Sequence, residues 1–278
     1  MDESVIRYLL SDDELAAMER DGYFLVRGAL DAPTVAQLLA VAEREDERYR
    51  QEPGVGPHHV LNLHDLIDRD ASWLELVDLA TTFGKVWGVL GWHIQLFHTQ
   101  LIVTPPAPPG ADPGAYGWHQ DNNRMNLDIE TIPQPRMSLK VGYFLTDLPQ
   151  EGMGNLSVVP GSHRDGRPDW SLDDRRHAAV EIVAAAGDAV VFDRRLWHAA
   201  STNTSDRTRV FATYGYSYRW LRTKSAMHHA ELLEQVDPIR RQLLGATSSA
   251  NGYFEPTDED VPLRAWIRDH LGEGAVKP

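Results

Sequence analysis

The chain has 278 residues, with 41 Asp and Glu against 27 Lys and Arg, a formal charge of −14 at neutral pH. That length is ample for one large core, and 42% hydrophobic with 24% charged residues is globular composition rather than disorder. The acidic balance argues against nucleic acid or an anionic membrane as main partner, and the lack of cysteine excludes disulfides, thiolate metal sites and thiol nucleophiles.

Met1-Asp2-Glu3 is acidic where a secretory leader needs positive charge, and no apolar run approaches the ~20 residues of a membrane helix. The expectation is a cytoplasmic protein. Ser11, three residues before Glu14, has capping-box spacing and predicts a helix to Arg20. Tyr23–Val26 reads as a short strand, and Asp31 opens a second helix through Leu38, Leu39, Val41 and Ala42. Leu74 to Leu90 has helical period, with Gly91 as its stop. From His93 to Val103 polar and apolar residues mostly alternate, the period of a half-buried strand. The Pro- and Gly-rich stretch from Thr104 to Gly117 is then a loop, either a lid or a connection. Strand-like runs follow at 138–146, 156–159, 179–183, 189–192 and 210–218, separated by turn signals such as Pro160-Gly161-Ser162 and Ala186-Gly187-Asp188. That spacing predicts an antiparallel sandwich or barrel. Helix returns over 226–244 and 262–271.

Three pieces carry chemistry. On a strand, residues two apart share a face, so His119 and Asp121 of Trp118-His119-Gln120-Asp121 can both reach one metal ion. The run from Gly187-Asp188 to Trp197-His198 is a strand that ends in a second histidine. Two imidazoles and one carboxylate make the facial triad of non-haem Fe(II) oxygenases, which leaves open positions on the metal. Arg209, eleven residues after His198, returns alongside it on an antiparallel strand and can grip a dicarboxylate; Arg207, of the same strand parity, is the runner-up. With 12 histidines in the chain, a lone His-x-Asp is weak evidence, and His163-Arg164-Asp165 is a second copy, placed in a turn. The joint pattern is what points to a metal site. Arg219, Arg222 and Lys224 form a basic cluster that reads as a solvated face.

Further segments share a pattern: Glu19–Tyr23, Val26-Arg27-Gly28, His98-Thr99 with Pro105-Pro106, Gly154-Asn155-Leu156 and Val159–His163. With the three pieces above, they make the chain resemble the phytanoyl-CoA dioxygenase family of Fe(II)/2-oxoglutarate oxygenases over most of its length. The resemblance implies a mainly β fold with flanking helices, a double-stranded β-helix (jelly roll, cupin-like). Residues 1–278 then form a single domain: N-terminal helices 1–92, jelly-roll core 93–218 and C-terminal helices 219–278. It implies His119, Asp121 and His198 as catalytic iron ligands, Arg209 as partner of the 2-oxoglutarate C5 carboxylate, and O2 as oxidant. The implied reaction is hydroxylation, or another oxidation by hydrogen abstraction, of a small organic metabolite, as in secondary metabolism.

There are departures from the pattern. Val103-Thr104 stand where the hydroxylases proper carry Asn-Lys, and Tyr143 where they carry a tryptophan. The hydroxyls of Thr99, Thr104 and Tyr143 are therefore expected to complete the dicarboxylate site, and the missing lysine weakens a CoA-ester substrate. The presence of Asp121 disfavours halogenation. Asn122, Asn123, Arg124 and Met125, next to the first ligand pair, are expected at the substrate mouth. Two other readings stay open: a cupin-like metal-dependent isomerase or hydrolase without 2-oxoglutarate, against which Arg209 argues, and a non-catalytic β-sandwich binding protein, against which the intact triad argues.

Overall fold

A computed structural model describes residues 1–112, 117–121, 123–165, 178–224, 230–246 and 255–276. Nine strands are named among them: β1 (Tyr23–Val26), β2 (Leu61–His64), β3 (Ile94–Thr104), β4 (Ser138–Phe144), β5 (Leu156–Val158), β6 (Val180–Glu181), β7 (Ala189–Asp193), β8 (His198–Ala200) and β9 (Arg209–Tyr218). They form two antiparallel sheets, one of six strands in the order β1-β7-β4-β9-β3-β2 and one of three in the order β6-β5-β8. This is a jelly roll with flanking helices. The larger sheet takes its edge strands β1 and β2 from the N-terminal part, so it is not confined to 93–218.

The helices are α1 (Asp12–Arg20), α2 (Ala32–Arg50), α3 (Ala80–Leu90), α4 (Asn123–Asp128), α5 (Ala230–Leu233), α6 (Pro238–Leu243) and α7 (Pro262–Leu271). The capping box of α1 forms: Ser11 Oγ accepts from the Glu14 amide, and the Glu14 carboxylate accepts from the Ser11 amide. Such a cap contributes about 1 kcal/mol. The helix expected over 74–90 is broken, because Leu79 is extended; a 3-10 helix spans Ala71–Leu76 and α3 starts at Ala80. Within 226–244, residues 225–229 lie outside the described ones. The remainder is split into α5 and α6, since Pro238 has no amide to continue a helix and Asp237 caps a new one. The strand expected over 179–183 is cut to Val180–Glu181.

Strand parity sorts the side chains of the large sheet. Leu139, Val141 and Tyr143 of β4, and Ala212, Tyr214 and Tyr216 of β9, belong to the core beneath the helices. The hydroxyls of that face reach helical residues: Tyr214 Oη donates to the Trp73 carbonyl at 2.6 Å, and Tyr216 Oη to the Val77 carbonyl at 2.8 Å. Each buried tyrosine thus satisfies its polar end while its ring contributes about 2 kcal/mol by burial. The opposite parity of β4, β7 and β9 supplies Phe144, Val190, Phe192 and Phe211, which pack with Leu156, Val158 and Leu196 between the two sheets. The interior between the sheets is where the polar residues of interest lie.

A bulge sets that parity on β3. Leu96 pairs with Tyr216, but His98 pairs with Gly215, so Phe97 is an extra residue. Beyond the bulge His98, Gln100, Ile102 and Thr104 share the register of Gly215, Thr213, Phe211 and Arg209. The bulge turns His98 inward, and Gly215 makes room: a Cβ there would lie 2.5 Å from His98 Nδ1.

Candidate metal centre

The His119 amide donates to the His198 carbonyl and the His198 amide to the His119 carbonyl, each at 3.0 Å. This isolated antiparallel bridge sets the two imidazoles side by side, ring centroids 4.3 Å apart and planes tilted by 53°. The strand expected around His119 is reduced to this single bridge. Asp121 lies in a turn beyond it, where its amide donates to the Arg194 carbonyl at 2.9 Å. One ligand atom from each of His119, Asp121 and His198 lies within 4.8 Å of the others, so the three could hold one metal ion.

The tautomers are fixed by the backbone. His119 Nδ1 lies 2.8 Å from the Gly117 carbonyl oxygen and His198 Nδ1 2.8 Å from that of Leu196. A carbonyl only accepts, so each Nδ1 carries the proton and each Nε2 keeps its lone pair for a metal. Burial, and then the neighbouring His119, push the His198 imidazole down to about 3, so it is neutral at physiological pH. Burial alone would raise the Asp121 carboxyl; Lys140, then His198, overcome it and hold the group well below the usual carboxylate range.

The turn that carries the Arg194 carbonyl is itself pinned. Buried Asp193 accepts from Arg195 and from Arg136, and Arg136 also pairs with Glu19. The Gly187-Asp188 motif proves structural. Gly187 has φ +93°, a region that disfavours a Cβ, and one there would lie 2.7 Å from the Leu30 carbonyl oxygen. The Asp188 carboxylate takes the amides of Gly28 and Ala185 and the Arg27 guanidinium, which ties β1 to the start of β7.

Arg209 is buried, 2% exposed, on the inner face of β9, its guanidinium carbon 4.4 Å from the centre of the Phe211 ring. Among the described residues its Nε and Nη1 have no hydrogen-bond partner and no carboxylate pairs with it. Burial pushes it down to about 9. A buried, uncompensated guanidinium is costly and fits an anion that arrives from outside the chain. Arg207, by contrast, is exposed and lines a surface groove of about 500 Å³.

Of the other expected residues, Thr104 is paired with Arg209 in register and shares its face. Thr99 and Tyr143 do not. Thr99 lies opposite Tyr214, past the bulge, and its Oγ accepts from the Leu66 amide at 2.9 Å; the Tyr143 hydroxyl is 2.8 Å from Thr82 Oγ1 of α3. Both face the helices, on the far side of the sheet from Arg209. Asn122 lies outside the described residues. Asn123 opens α4, Met125 is half-buried, and Arg124 is 83% exposed and pairs with Asp128 of its own helix. His163 is buried beside Gly22 while Asp165 is exposed, so the second His-x-Asp has no common face. Arg219 is buried rather than on a solvated face. In the Pro-rich loop, Ala107 donates to the Asn203 carbonyl and the Asp112 carbonyl accepts from Thr202, which anchors residues 107–112 to the β8–β9 connection.

Two inward residues were missed. Lys140 of β4 places Nζ 2.9 Å from Asp121 Oδ1. His98 is 4% exposed, and burial, then Lys140, push it down to about 3. The only available signal was a lone lysine in the otherwise uncharged run 138–144.

Two predictions arise here. In metal-free protein His98 and His198 bind protons only below about 3, whereas in the unfolded chain they bind near ~6.5. The unfolded chain therefore takes up more protons between these values, and stability is full above ~6.5 and lost as pH falls toward 3. Denaturant unfolding in chelator should show an acid-side slope of about two protons; a flat profile between pH 4.5 and 6.5 contradicts the assignment. Gly142 lies beneath the Phe211 ring, where a Cβ would overlap it. G142A should cost roughly 1–3 kcal/mol by overpacking and disturb the ring on which Arg209 rests, which urea unfolding would measure.

The sequence model of the family described as "Phytanoyl-CoA dioxygenase (PhyH)" matches residues 6–211. An uncharacterized protein of Mycobacterium tuberculosis, Rv1501, is 28% identical over 256 residues, covering 86% of this chain and 89% of its own. The ectoine dioxygenase of Nocardia farcinica is 24% identical over 238 residues, covering 73% and 76%. Among solved structures, the non-haem α-ketoglutarate-dependent carbocyclase SnoK from nogalamycin biosynthesis superposes with a TM-score of 0.61 at 22% identity, covering 82% of this chain and 92% of that one. That likeness is one of fold.

Proposed function

The chain belongs to the phytanoyl-CoA dioxygenase family, and on that premise we propose that it is an Fe(II)- and 2-oxoglutarate-dependent oxygenase acting on a small organic molecule. The observation that carries this reading is the convergence of His119, Asp121 and His198 from two chain segments to within 4.8 Å. Iron, 2-oxoglutarate and O2 together would supply the oxidation, the cosubstrate leaving as succinate and CO2 with one oxygen atom and the other remaining for the substrate. The two Nε2 atoms and the Asp121 carboxylate bind the metal. Arg209 holds the distal carboxylate of 2-oxoglutarate, and Thr104 borders that carboxylate on the neighbouring strand. Phe192 and Leu196 exclude water around His198; the Phe192 ring centre is 5.1 Å from that of the imidazole. Arg124 and Met125, in the first turn of α4, border the substrate mouth.

The whole chain acts as one catalytic domain. No described helix is long and apolar enough to cross a membrane, and the cysteine-free composition suits the cytoplasm. The acidic surface suits a small-molecule partner rather than nucleic acid.

The test is a thermal-shift titration of the Mn(II)-loaded protein with N-oxalylglycine, a 2-oxoglutarate analogue, followed by succinate release against a metabolite library. Ligand at 100 times its Kd stabilises by about 2.7 kcal/mol, and the shift should vanish in chelator. No metal-dependent shift and no succinate with any compound would overturn the reading.

A further inference from the structure

Asp121 has two distinguishable oxygens. Oδ2 lies 3.9 Å from His198 Nε2, on the side where the ligand atoms gather, whereas Oδ1 takes the Lys140 ammonium at 2.9 Å. Lys140 is buried on the inner face of β4, directly opposite Phe192 on β7 and Gly215 on β9. Its Nζ stands 5.9 Å from the centre of the Phe192 ring, the ring that also packs edge-on against His198. Lysine and histidine thus flank one aromatic side chain, and the Asp121 carboxylate stands between their polar ends. Burying an ammonium in a run of otherwise uncharged strand residues is expensive, and here the cation faces one named oxygen.

Resting on the oxygenase reading above, we infer that Lys140 is a positioning residue: by claiming Oδ1 it holds Asp121 to one-oxygen ligation and so keeps an additional position on the metal open. Two imidazoles and one carboxylate oxygen leave three of six positions. The keto acid of 2-oxoglutarate would take two, and the third would stay open for O2. A carboxylate released from Lys140 can close on the metal with both oxygens and fill that third position. The lysine touches neither cosubstrate nor substrate in this scheme and acts only through Asp121.

The experiment counts metal-bound water in the Mn(II) protein saturated with N-oxalylglycine, by water-proton relaxation and by broadening of the Mn(II) electron paramagnetic resonance signal in 17O-water. Wild type should retain one bound water. K140M, which has no donor for Oδ1, should retain none, while its N-oxalylglycine Kd stays within about threefold of wild type. K140R and K140Q restore a donor and should regain the water; they also keep the test decisive if K140M folds poorly by circular dichroism. A K140M protein with the wild-type water count and only a lowered melting temperature would make the contact a plain ion pair and overturn the inference. So would an unchanged count with a tenfold or greater loss of N-oxalylglycine affinity, which would place the lysine on the cosubstrate. If wild type itself takes up no Mn(II), or H119A takes up as much, the oxygenase reading has failed rather than this refinement of it.

Discussion

Arg209→Met should make the protein more stable and less able to bind 2-oxoglutarate at the same time. In the metal-free protein the guanidinium is buried against Phe211 with no carboxylate partner among the described residues. A methionine keeps most of the packing volume and removes the charge. Replacing a buried ionic group by an apolar side chain of similar volume stabilises by about 1–4 kcal/mol in favourable cases. The affinity of the Mn(II) protein for 2-oxoglutarate should meanwhile fall by about a hundredfold, since a charge-assisted bidentate contact contributes on the order of 3 kcal/mol. Urea unfolding and calorimetric titration read the two effects separately. A destabilised R209M with intact cosubstrate binding would show that Arg209 is a structural residue and remove it from the site.

His198→Ala should abolish metal binding with little damage to the fold. His198 opens the three-residue strand β8, its side chain faces the gathering of ligand atoms, and β8 is held by backbone pairing with β5 that survives the change. Loss of one of three protein ligands should weaken Mn(II) binding by about a thousandfold or more, measurable by equilibrium titration. The acid sensitivity of the metal-free protein should also drop from about two protons to one, because His98 alone then remains neutral and buried. Unchanged Mn(II) affinity would dissolve the triad, whatever the fold.

The parts of this site legible in the sequence are those whose geometry is local or set by one turn. His119 and Asp121 are two residues apart, and one short connection joins His198 to Arg209, although it crosses from the small sheet to the large one rather than into a paired strand as expected. The Ser11–Glu14 cap is similarly self-contained. Thr99 and Tyr143 were expected beside Arg209, but the face each takes is set by its cross-strand partners, Tyr214 and Ala212, and by no feature of its own segment. Lys140 escaped for a related reason: whether it points in or out is decided by its partners Phe192 and Gly215, both more than fifty residues away. The bulge and the pairing of β4 with β7 and β9 are non-local facts, and no periodicity within one segment encodes them.

The register shift at Phe97 also bears on how such an enzyme can change. It hands the outward positions of β3 to the helical layer, where a hydroxyl such as that of Thr99 already closes a backbone amide, and leaves His98 and Gln100 facing the chamber between the sheets. Substitutions at those two chamber positions leave the aromatic floor beneath the helices undisturbed. A lineage could therefore retune what the chamber admits without first acquiring compensating stability, and divergence in substrate should collect on alternate residues of that one strand.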